Sequence, residues 1–160
     1  MAISVGDKIP SVQVMLATDA GPEQVDTTAL LGSGKVALFS LPGAFTPTCS
    51  AQHLPGFIEK AGDFKAKGVD KIVCMSVNDA FVMSAWGADQ NVAGKVEMLA
   101  DGNGDFARAL GLTMDGQAFG MGERAQRFSA VIEDGVVKHL NVEEPGAFEV
   151  SSVEHMLGQL

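Results

Sequence analysis

The stretch Val36-Ala-Leu-Phe-Ser-Leu41-Pro-Gly-Ala-Phe-Thr46-Pro-Thr-Cys49 contains the features that decide the fold. Its first six residues are almost continuously apolar, which is typical of a strand buried on both faces of a sheet. Thr46 suits the position just before a helix, and Pro47 suits the first helical position because the N–H that it lacks is not needed there. The stretch therefore predicts a strand, a short loop and a helix whose third residue is Cys49.

Cys49 is the side chain in this stretch that is best suited to act as a nucleophile. At the third helical position its sulfur would lie near backbone N–H groups without a helical partner and near the positive end of the helix dipole. Both effects favour the thiolate, which is the nucleophilic form of cysteine. A buried, inert cysteine is the structural alternative. We expect Cys49 to be catalytic, because the helix start places it where a thiolate is stabilised.

The rest of the chain alternates between strand and helix patterns. We predict strands at residues 12–16, 36–41, 71–77 and 96–99, and helices at 27–31, 50–67, 79–86 and 106–110. Turn chemistry is expected at 19–22, and Pro55 should bend the helix at 50–67. This order favours an α/β fold with a central mixed sheet flanked by helices on both faces.

The C-terminal third begins with an irregular, glycine-rich stretch, Met114 to Gly122, which we interpret as a loop. Two predicted strands, 127–133 and 136–142, then flank Asp134-Gly135, a strong hairpin signal. Residues 143–149 are expected to form a loop, and Ser151 or Ser152 could begin a last helix that ends at Leu160.

Composition limits the classes of function. The chain has 160 residues, of which 46% are hydrophobic and 19% charged, and we expect one domain, 1–160. A net charge of -9 disfavours nucleic acid and anionic membranes as partners. The sequence suggests no signal peptide and no membrane-spanning run, so a cytoplasmic location is expected. The three histidines and two cysteines lack metal-ligand spacing, and we expect no metal and no cofactor.

The segment from Pro42 to Cys49 resembles the active-site loop of peroxiredoxins, whose pattern is Pro-x-x-x-Thr/Ser-x-x-Cys. Further blocks are similar to the type II, or fifth, subgroup of that family: residues 53–57 (HLPGF), 76–82 (SVNDAFV), 86–87 (WG) and 127–129 (RFS). The resemblance extends over most of the chain. It implies a thioredoxin-like fold, a homodimer, and thiol-dependent reduction of hydrogen peroxide and alkyl hydroperoxides through a sulfenic acid at Cys49.

Peroxide reduction requires an ionised sulfur and a group that stabilises the departing oxygen. Thr46 could offer its hydroxyl to the thiolate and the peroxide, although it could also be only a helix cap. A guanidinium near the sulfur would hold the polarised oxygens. The resemblance selects Arg127 for this role, with Arg124 as the substitute and a surface ion pair as the alternative. It also implies that Pro42 shields the sulfur from water.

The second cysteine, Cys74, lies in a predicted buried strand, and we interpret it as a core residue. The alternative is a resolving thiol, a secondary thiol that would form a disulfide with Cys49. Some relatives carry a resolving cysteine near the C-terminus, where this chain has Ser151 and Ser152. We therefore expect an outside thiol to reduce the sulfenic acid, with glutathione and glutaredoxin ahead of thioredoxin.

Two other functions remain open at this point. One is a peroxide-sensing redox switch or holdase with little turnover, in which the loop 114–121 would bind a partner. The other is a cysteine hydrolase in which His53, one turn after Cys49, acts as the base. For His53 itself we favour a packing role in the loop or at a dimer contact.

Overall fold

A seven-stranded sheet organises the computed structural model, which describes residues 1–160. In chain order the strands are β1 (Gln13–Thr18), β2 (Gly21–Asp26), β3 (Lys35–Ser40), β4 (Lys71–Ser76), β5 (Glu97–Ala100), β6 (Thr113–Asp115), β7 (Glu123–Ala125), β8 (Phe128–Glu133) and β9 (Val136–Val142). The large sheet has the order β2-β1-β5-β4-β3-β8-β9, and β6 and β7 form a small separate sheet. Strands β3, β4 and β5 are parallel and the other pairings are antiparallel, so the predicted mixed sheet is confirmed.

Helices cover both faces of this sheet. They are α1 (Thr27–Leu31), α2 (Leu54–Glu59), α3 (Ala61–Ala66), α4 (Ala80–Gln90), α5 (Asp105–Leu110) and α6 (Val153–Gln159), with a π-helical turn at Cys49–His53 and a 3-10 turn at Gln117–Phe119. Because side chains alternate along a strand, Phe39 of β3 packs in the core beneath α2, α3, α4 and α6, whereas Leu38 packs beneath α1 and α5. The expected thioredoxin-like α/β fold is present.

The predicted helix at 50–67 is divided into three pieces. The chain is helical from Pro47, passes through the π-helical turn, continues as α2 and is interrupted at Lys60 before α3. In the π-helical turn the N–H of Leu54 donates to the carbonyl of Cys49, five residues earlier. Pro55 follows directly and has no N–H for a regular helical bond, so the irregularity lies beside the residue that was expected to bend the helix.

Two strand regions differ from the prediction. The turn is restricted to residues 19–20, and Gly21–Asp26 forms β2, an edge strand that tolerates Pro22 because one side of the strand has no partner. The interpretation of Met114 to Gly122 as a loop is wrong, because part of it lies in β6 and in the 3-10 turn, and β7 pairs with β6 directly afterwards.

The predicted hairpin is confirmed, and so is the predicted serine cap of the last helix, at Ser152. Asp134 and Gly135 both adopt a left-handed backbone, with φ of 49° and 80°, and they join β8 to β9. Ser152 caps α6 and Asp79 caps α4 through their side chains. Strand β8 pairs with β3 so that Phe128 lies opposite Ser40, and Arg127 therefore enters the sheet beside the loop that carries Cys49. None of the helices combines the length and apolarity needed to cross a bilayer.

Candidate active site

The loop between β3 and the helix start has the predicted register. The helix begins at Pro47, and the N–H of Ser50 donates to the carbonyl of Thr46 over 2.9 Å. Cys49 is therefore the third helical residue, as expected. Phe45 has a φ of 64°, which is unusual for a bulky side chain and shows that the loop is held by its surroundings.

Two side chains from elsewhere in the fold hold this loop. The side-chain oxygen of Asn78 accepts from the N–H of Ala44 over 2.9 Å, and Arg124 donates to the carbonyl of Pro42 over 3.2 Å. Pro42 is half-buried, and its role in shielding the sulfur stays a prediction. Arg124 was the substitute for the catalytic arginine, but its hydrogen bonds go to backbone carbonyls and not to sulfur.

Cys49 is fully buried, and its sulfur accepts a hydrogen bond from Arg127. The Nη2 atom of Arg127 lies 3.0 Å from the Sγ atom of Cys49. A guanidinium is always charged, so this bond strengthens when the sulfur carries a negative charge. The structure thus brings together the cysteine and the arginine that the sequence pointed to, 78 positions apart.

Thr46 is half-buried in the loop, and its hydroxyl is oriented differently from the expectation. The Oγ1 atom donates its hydrogen to the carbonyl of Gly43 over 2.7 Å and makes no hydrogen bond with the Cys49 sulfur. Donation to the thiolate is therefore not what the geometry shows. The lone pairs of Oγ1 remain able to accept a hydrogen bond, so the hydroxyl can orient a molecule that has a hydrogen to donate.

His53 holds Arg127 from the side opposite the sulfur. The Nη1 atom of Arg127 donates to Nδ1 of His53 over 2.8 Å, and Nε2 of His53 donates to the carbonyl of Ser151 over 2.9 Å. Burial, and after it the charge of Arg127, lower the pKa of His53 to about 3. His53 is therefore neutral, with its proton on Nε2, and its one lone pair faces the guanidinium. This contact was missed, because it depends on an arginine 74 residues away.

Cys74 lies on β4 and is fully buried in the same core cluster as Cys49. It is opposite Phe39 of β3 and Met98 of β5, and no disulfide joins the two cysteines. Burial raises the pKa of the Cys74 thiol well above its ordinary value, and a charge on Cys49 raises it further. These surroundings are those of a core residue.

The helical segment that begins at Pro47 is bound to α4 through Ser50, the residue after Cys49. The indole Nε1 of Trp86 donates to the Ser50 hydroxyl over 3.0 Å, and the Gln90 amide donates to the Ser50 carbonyl over 3.3 Å. The structure contains no group of three or more His, Cys, Asp and Glu side chains arranged to hold a metal ion. The candidate site is built around the contact between the Cys49 sulfur and the Arg127 guanidinium, with Thr46 in the adjoining loop.

Comparisons with known proteins agree over nearly the whole chain. Residues 4–157 match the family model described as Redoxin. The chain is 49% identical over 163 residues to "Peroxiredoxin-2E, chloroplastic" of Arabidopsis thaliana, covering 99% of this chain and 70% of the relative. It is 52% identical over 163 residues to "Peroxiredoxin-2E-2, chloroplastic" of Oryza sativa subsp. japonica, covering 99% and 72%. A solved structure, reduced Prx3 in complex with hydrogen peroxide from Vibrio vulnificus, has a TM-score of 0.94, 49% identity and 98% coverage of both chains.

These relatives correct the expectation about location. The expected cytoplasmic location is contradicted, because the two plant relatives are named as chloroplastic proteins. The expectation depended on the absence of a recognisable leader, which is weak evidence about where a chain is used.

The family is established by two independent findings. The family model spans far more than half of the chain, and the plant relatives are well above 30% identical over more than two thirds of their own length. The chain belongs to the peroxiredoxins of the redoxin family, the enzymes that reduce peroxides with a thiol.

Proposed function

We propose that Cys49 is the sulfur on which this peroxidase reaction takes place. Its thiolate attacks one oxygen of hydrogen peroxide or an alkyl hydroperoxide, and the O–O bond breaks. The sulfur is oxidised to a sulfenic acid, and the other oxygen leaves as hydroxide or alkoxide and takes up a proton to give water or an alcohol. The observation that carries this proposal is the 3.0 Å hydrogen bond from Arg127 to the Cys49 sulfur.

Arg127 and Thr46 would assist the reaction in different ways. The guanidinium stabilises the thiolate before attack, and it is close enough to the sulfur to stabilise charge that develops on the departing oxygen. Thr46 would accept the hydrogen of the hydroperoxide, because its own hydrogen is already donated to Gly43. This gives the peroxide one fixed acceptor and one fixed donor, which is how an active site orients a small substrate.

The sulfenic acid would be reduced by a thiol from outside the chain. Two reducing thiols restore Cys49: the first forms a mixed disulfide and releases water, and the second displaces Cys49 and leaves as the disulfide of the two reducing thiols. We expect glutathione and glutaredoxin ahead of thioredoxin. The burial and the raised pKa of Cys74 support reduction by an outside thiol over an internal disulfide.

The alternative functions have less support. A cysteine hydrolase would need His53 as a base toward Cys49, but its lone pair already accepts from Arg127 and its pKa is about 3. A redox switch or holdase was expected to use the loop 114–121, where Phe119 is indeed 80% exposed. Arg124 links the carbonyl of Met121 in that loop to the carbonyl of Pro42, but neither bond reaches the Cys49 sulfur, so this contact does not favour a switch over turnover.

A homodimer remains part of the proposal. Phe45 is 53% exposed beside Trp86, and Phe81, in the first turn of α4, is 73% exposed. Large exposed aromatic side chains near an active site are typical of an interface.

Sedimentation equilibrium should give twice the monomer mass, and Phe81→Glu should lower it toward the monomer. The control Val5→Glu, at another exposed apolar side chain, should leave the mass unchanged, and a monomeric parent protein would contradict the proposal.

The first functional prediction concerns the two cysteines. Cys49→Ser should reduce peroxide consumption to background, because the hydroxyl has no accessible ionised form. Cys74→Ser should retain most of the activity when glutathione and glutaredoxin are supplied. A steady-state assay on the parent protein and both variants, with glutaredoxin and thioredoxin systems side by side, measures this. Loss of activity in Cys74→Ser with every reductant would show that Cys74 is a resolving thiol.

Thr46 can be tested by a matched pair of substitutions. Thr46→Val removes the acceptor and should slow the reaction of the reduced protein with peroxide roughly 3- to 10-fold, the value of one ordinary hydrogen bond. Thr46→Ser keeps the hydroxyl and should remain close to the parent rate. Rapid-mixing measurement of the second-order rate constant decides the matter, and equal rates in all three proteins would exclude Thr46 from the reaction.

Arg127 is predicted to contribute more than Thr46. Arg127→Gln replaces a charged donor by a neutral one and should lower the same rate constant about 10- to 150-fold, as expected for a charge-assisted hydrogen bond. Arg108→Gln is the matched control, because Arg108 is 48% exposed and pairs with Asp105 and Glu123 on the surface. A similar loss in both variants would mean that general charge, and not the contact with Cys49, determines the rate.

A further inference from the structure

The loop that follows β9 is folded around one carboxylate. Glu143 is only 8% exposed, and its Oε2 atom accepts three hydrogen bonds: from the N–H of Glu149 over 2.7 Å, the N–H of Ser151 over 2.8 Å and the hydroxyl of Ser151 over 2.6 Å. No lysine or arginine forms an ion pair with this carboxylate. Glu143 therefore determines the path of the loop 143–151 through neutral donors alone.

This loop supplies the partner that fixes His53. The carbonyl of Ser151, whose N–H and hydroxyl bind Glu143, accepts from Nε2 of His53 over 2.9 Å. A neutral imidazole has one donor and one acceptor, so the proton on Nε2 leaves Nδ1 as the acceptor. That acceptor receives Nη1 of Arg127 at 2.8 Å, and Nη2 of the same guanidinium reaches Cys49 at 3.0 Å.

The same loop touches the arginine directly. The N–H of Glu143 donates to the carbonyl of Arg127 over 3.0 Å, because the β8–β9 pairing continues by one residue beyond the strands. The ring of Phe148 has its centroid 5.0 Å from that of His53 and 5.8 Å from the Cζ atom of Arg127. The loop is therefore attached to Arg127 at its backbone, at its guanidinium and through His53.

We infer that Glu143 is a positioning residue for Arg127, acting through Ser151 and His53. Its carboxylate places the Ser151 carbonyl, the carbonyl selects the His53 tautomer, and the tautomer gives the guanidinium its second acceptor. The inference rests on the proposed function of Arg127 at Cys49. In this role the loop 143–151 contributes to the reaction by positioning Arg127. The alternative is that the loop has a structural role only.

The inference includes a definite dependence on pH. The charged groups that act on His53 are Arg127 and Glu143, and its other neighbours are the apolar rings of Phe39, Phe57 and Phe148. With the loop in place, burial and the charge of Arg127 lower the pKa of His53 to about 3, so the imidazole stays neutral. If the loop opens, that pKa should return toward 6.5, and protonated His53 can no longer accept from Arg127.

The carboxylate itself resists acid. Burial raises the pKa of Glu143, but hydrogen bonds from Ser151, Glu149 and Val150 outweigh this and leave the pKa below its ordinary value of 4.5. Because the folded-state pKa is lowered, the stabilisation is present above the ordinary value and is lost as the pH falls through the lowered one. The parent protein should therefore show no change in His53 at neutral or weakly acidic pH.

Long-range ¹H–¹⁵N NMR of the histidine rings tests the inference without peroxide. The parent protein should show His53 as the Nε2–H tautomer, without titration, between about pH 5 and 8. Glu143→Ala should give mixed tautomers that titrate near the ordinary histidine pKa. Glu144→Ala, which changes an exposed carboxylate in the same loop, should match the parent protein. His53→Gln assigns the signal, since His139 and His155 are the only other histidines.

The reaction rate provides the second readout. Glu143→Ala should lower the rate constant for peroxide on the order of 10- to 100-fold at neutral pH, as for a displaced catalytic group, and by more at weakly acidic pH. Where Glu143→Ala does not fold, Glu143→Asp takes its place, because it keeps the charge but shortens the reach. A folded variant with the parent tautomer and rate overturns the inference. Failure of Cys49→Ser to lose activity would instead refute the proposed function, while the NMR result would stand.

Discussion

The site depends on one guanidinium donating in two directions at once. Arg127 gives one N–H to the Cys49 sulfur and another to a histidine nitrogen that carries no proton. The second contact fixes the plane of the guanidinium, and the first then has a fixed direction. A lysine could not replace it, since an ammonium is a point donor without a rigid fork. The surrounding structure can be understood as the set of contacts that keep this fork in place and keep His53 neutral.

The fold supplies these contacts from four separate elements. Strand β3 leads into the loop that ends at Cys49, and β8 pairs with β3 so that Arg127 arrives at the same edge. The π-helical turn places His53 four residues after Cys49, with its ring buried against Phe39 and Phe57. The loop after β9 contacts His53 through Ser151 and Arg127 through Phe148. The contacts of Arg127 with Cys49 and His53, and of His53 with Ser151, link residues 74 to 98 positions apart, so they exist only when β3, β8 and the loop after β9 have come together.

Local patterns predicted the parts of the site that are built from neighbouring residues. The helix start at Thr46-Pro47, the position of Cys49 and the Asp134-Gly135 hairpin follow from backbone preferences that act over a few residues. The continuous helix at 50–67 was wrong, because apolar spacing does not reveal a π-helical turn or the break at Lys60. Strand β2 and the β6–β7 pair were missed because short, polar or glycine-rich strands have little alternation to detect.

The supporting residues were harder to predict for a different reason. Glu143 and Ser151 have no local sequence signature. Their role depends on hydrogen bonds to the buried carboxylate from donors that come together only when the loop is folded. A regular hairpin at Asp134-Gly135 would place Arg127 opposite Val142, and only the register shift between Val131 and Ile132 brings it opposite Glu143. The direction of the Thr46 hydroxyl could not be predicted, because it depends on which loop carbonyl lies within reach.

Burial of the Cys49 sulfur would place different demands on the protein in the two halves of the proposed reaction. Cys49 is fully buried, so a small peroxide would need less opening of the structure than a bulkier reducing thiol, which would need the first helical turn to open. Cys74 is already inside the protein, but its raised pKa leaves little thiolate at neutral pH, and exchange proceeds through the thiolate. A thiol from solvent can be ionised and reactive, but it would reach Cys49 only after the helix opens. The opening of a single turn is a smaller change than moving a central strand, and this asymmetry favours reduction from outside.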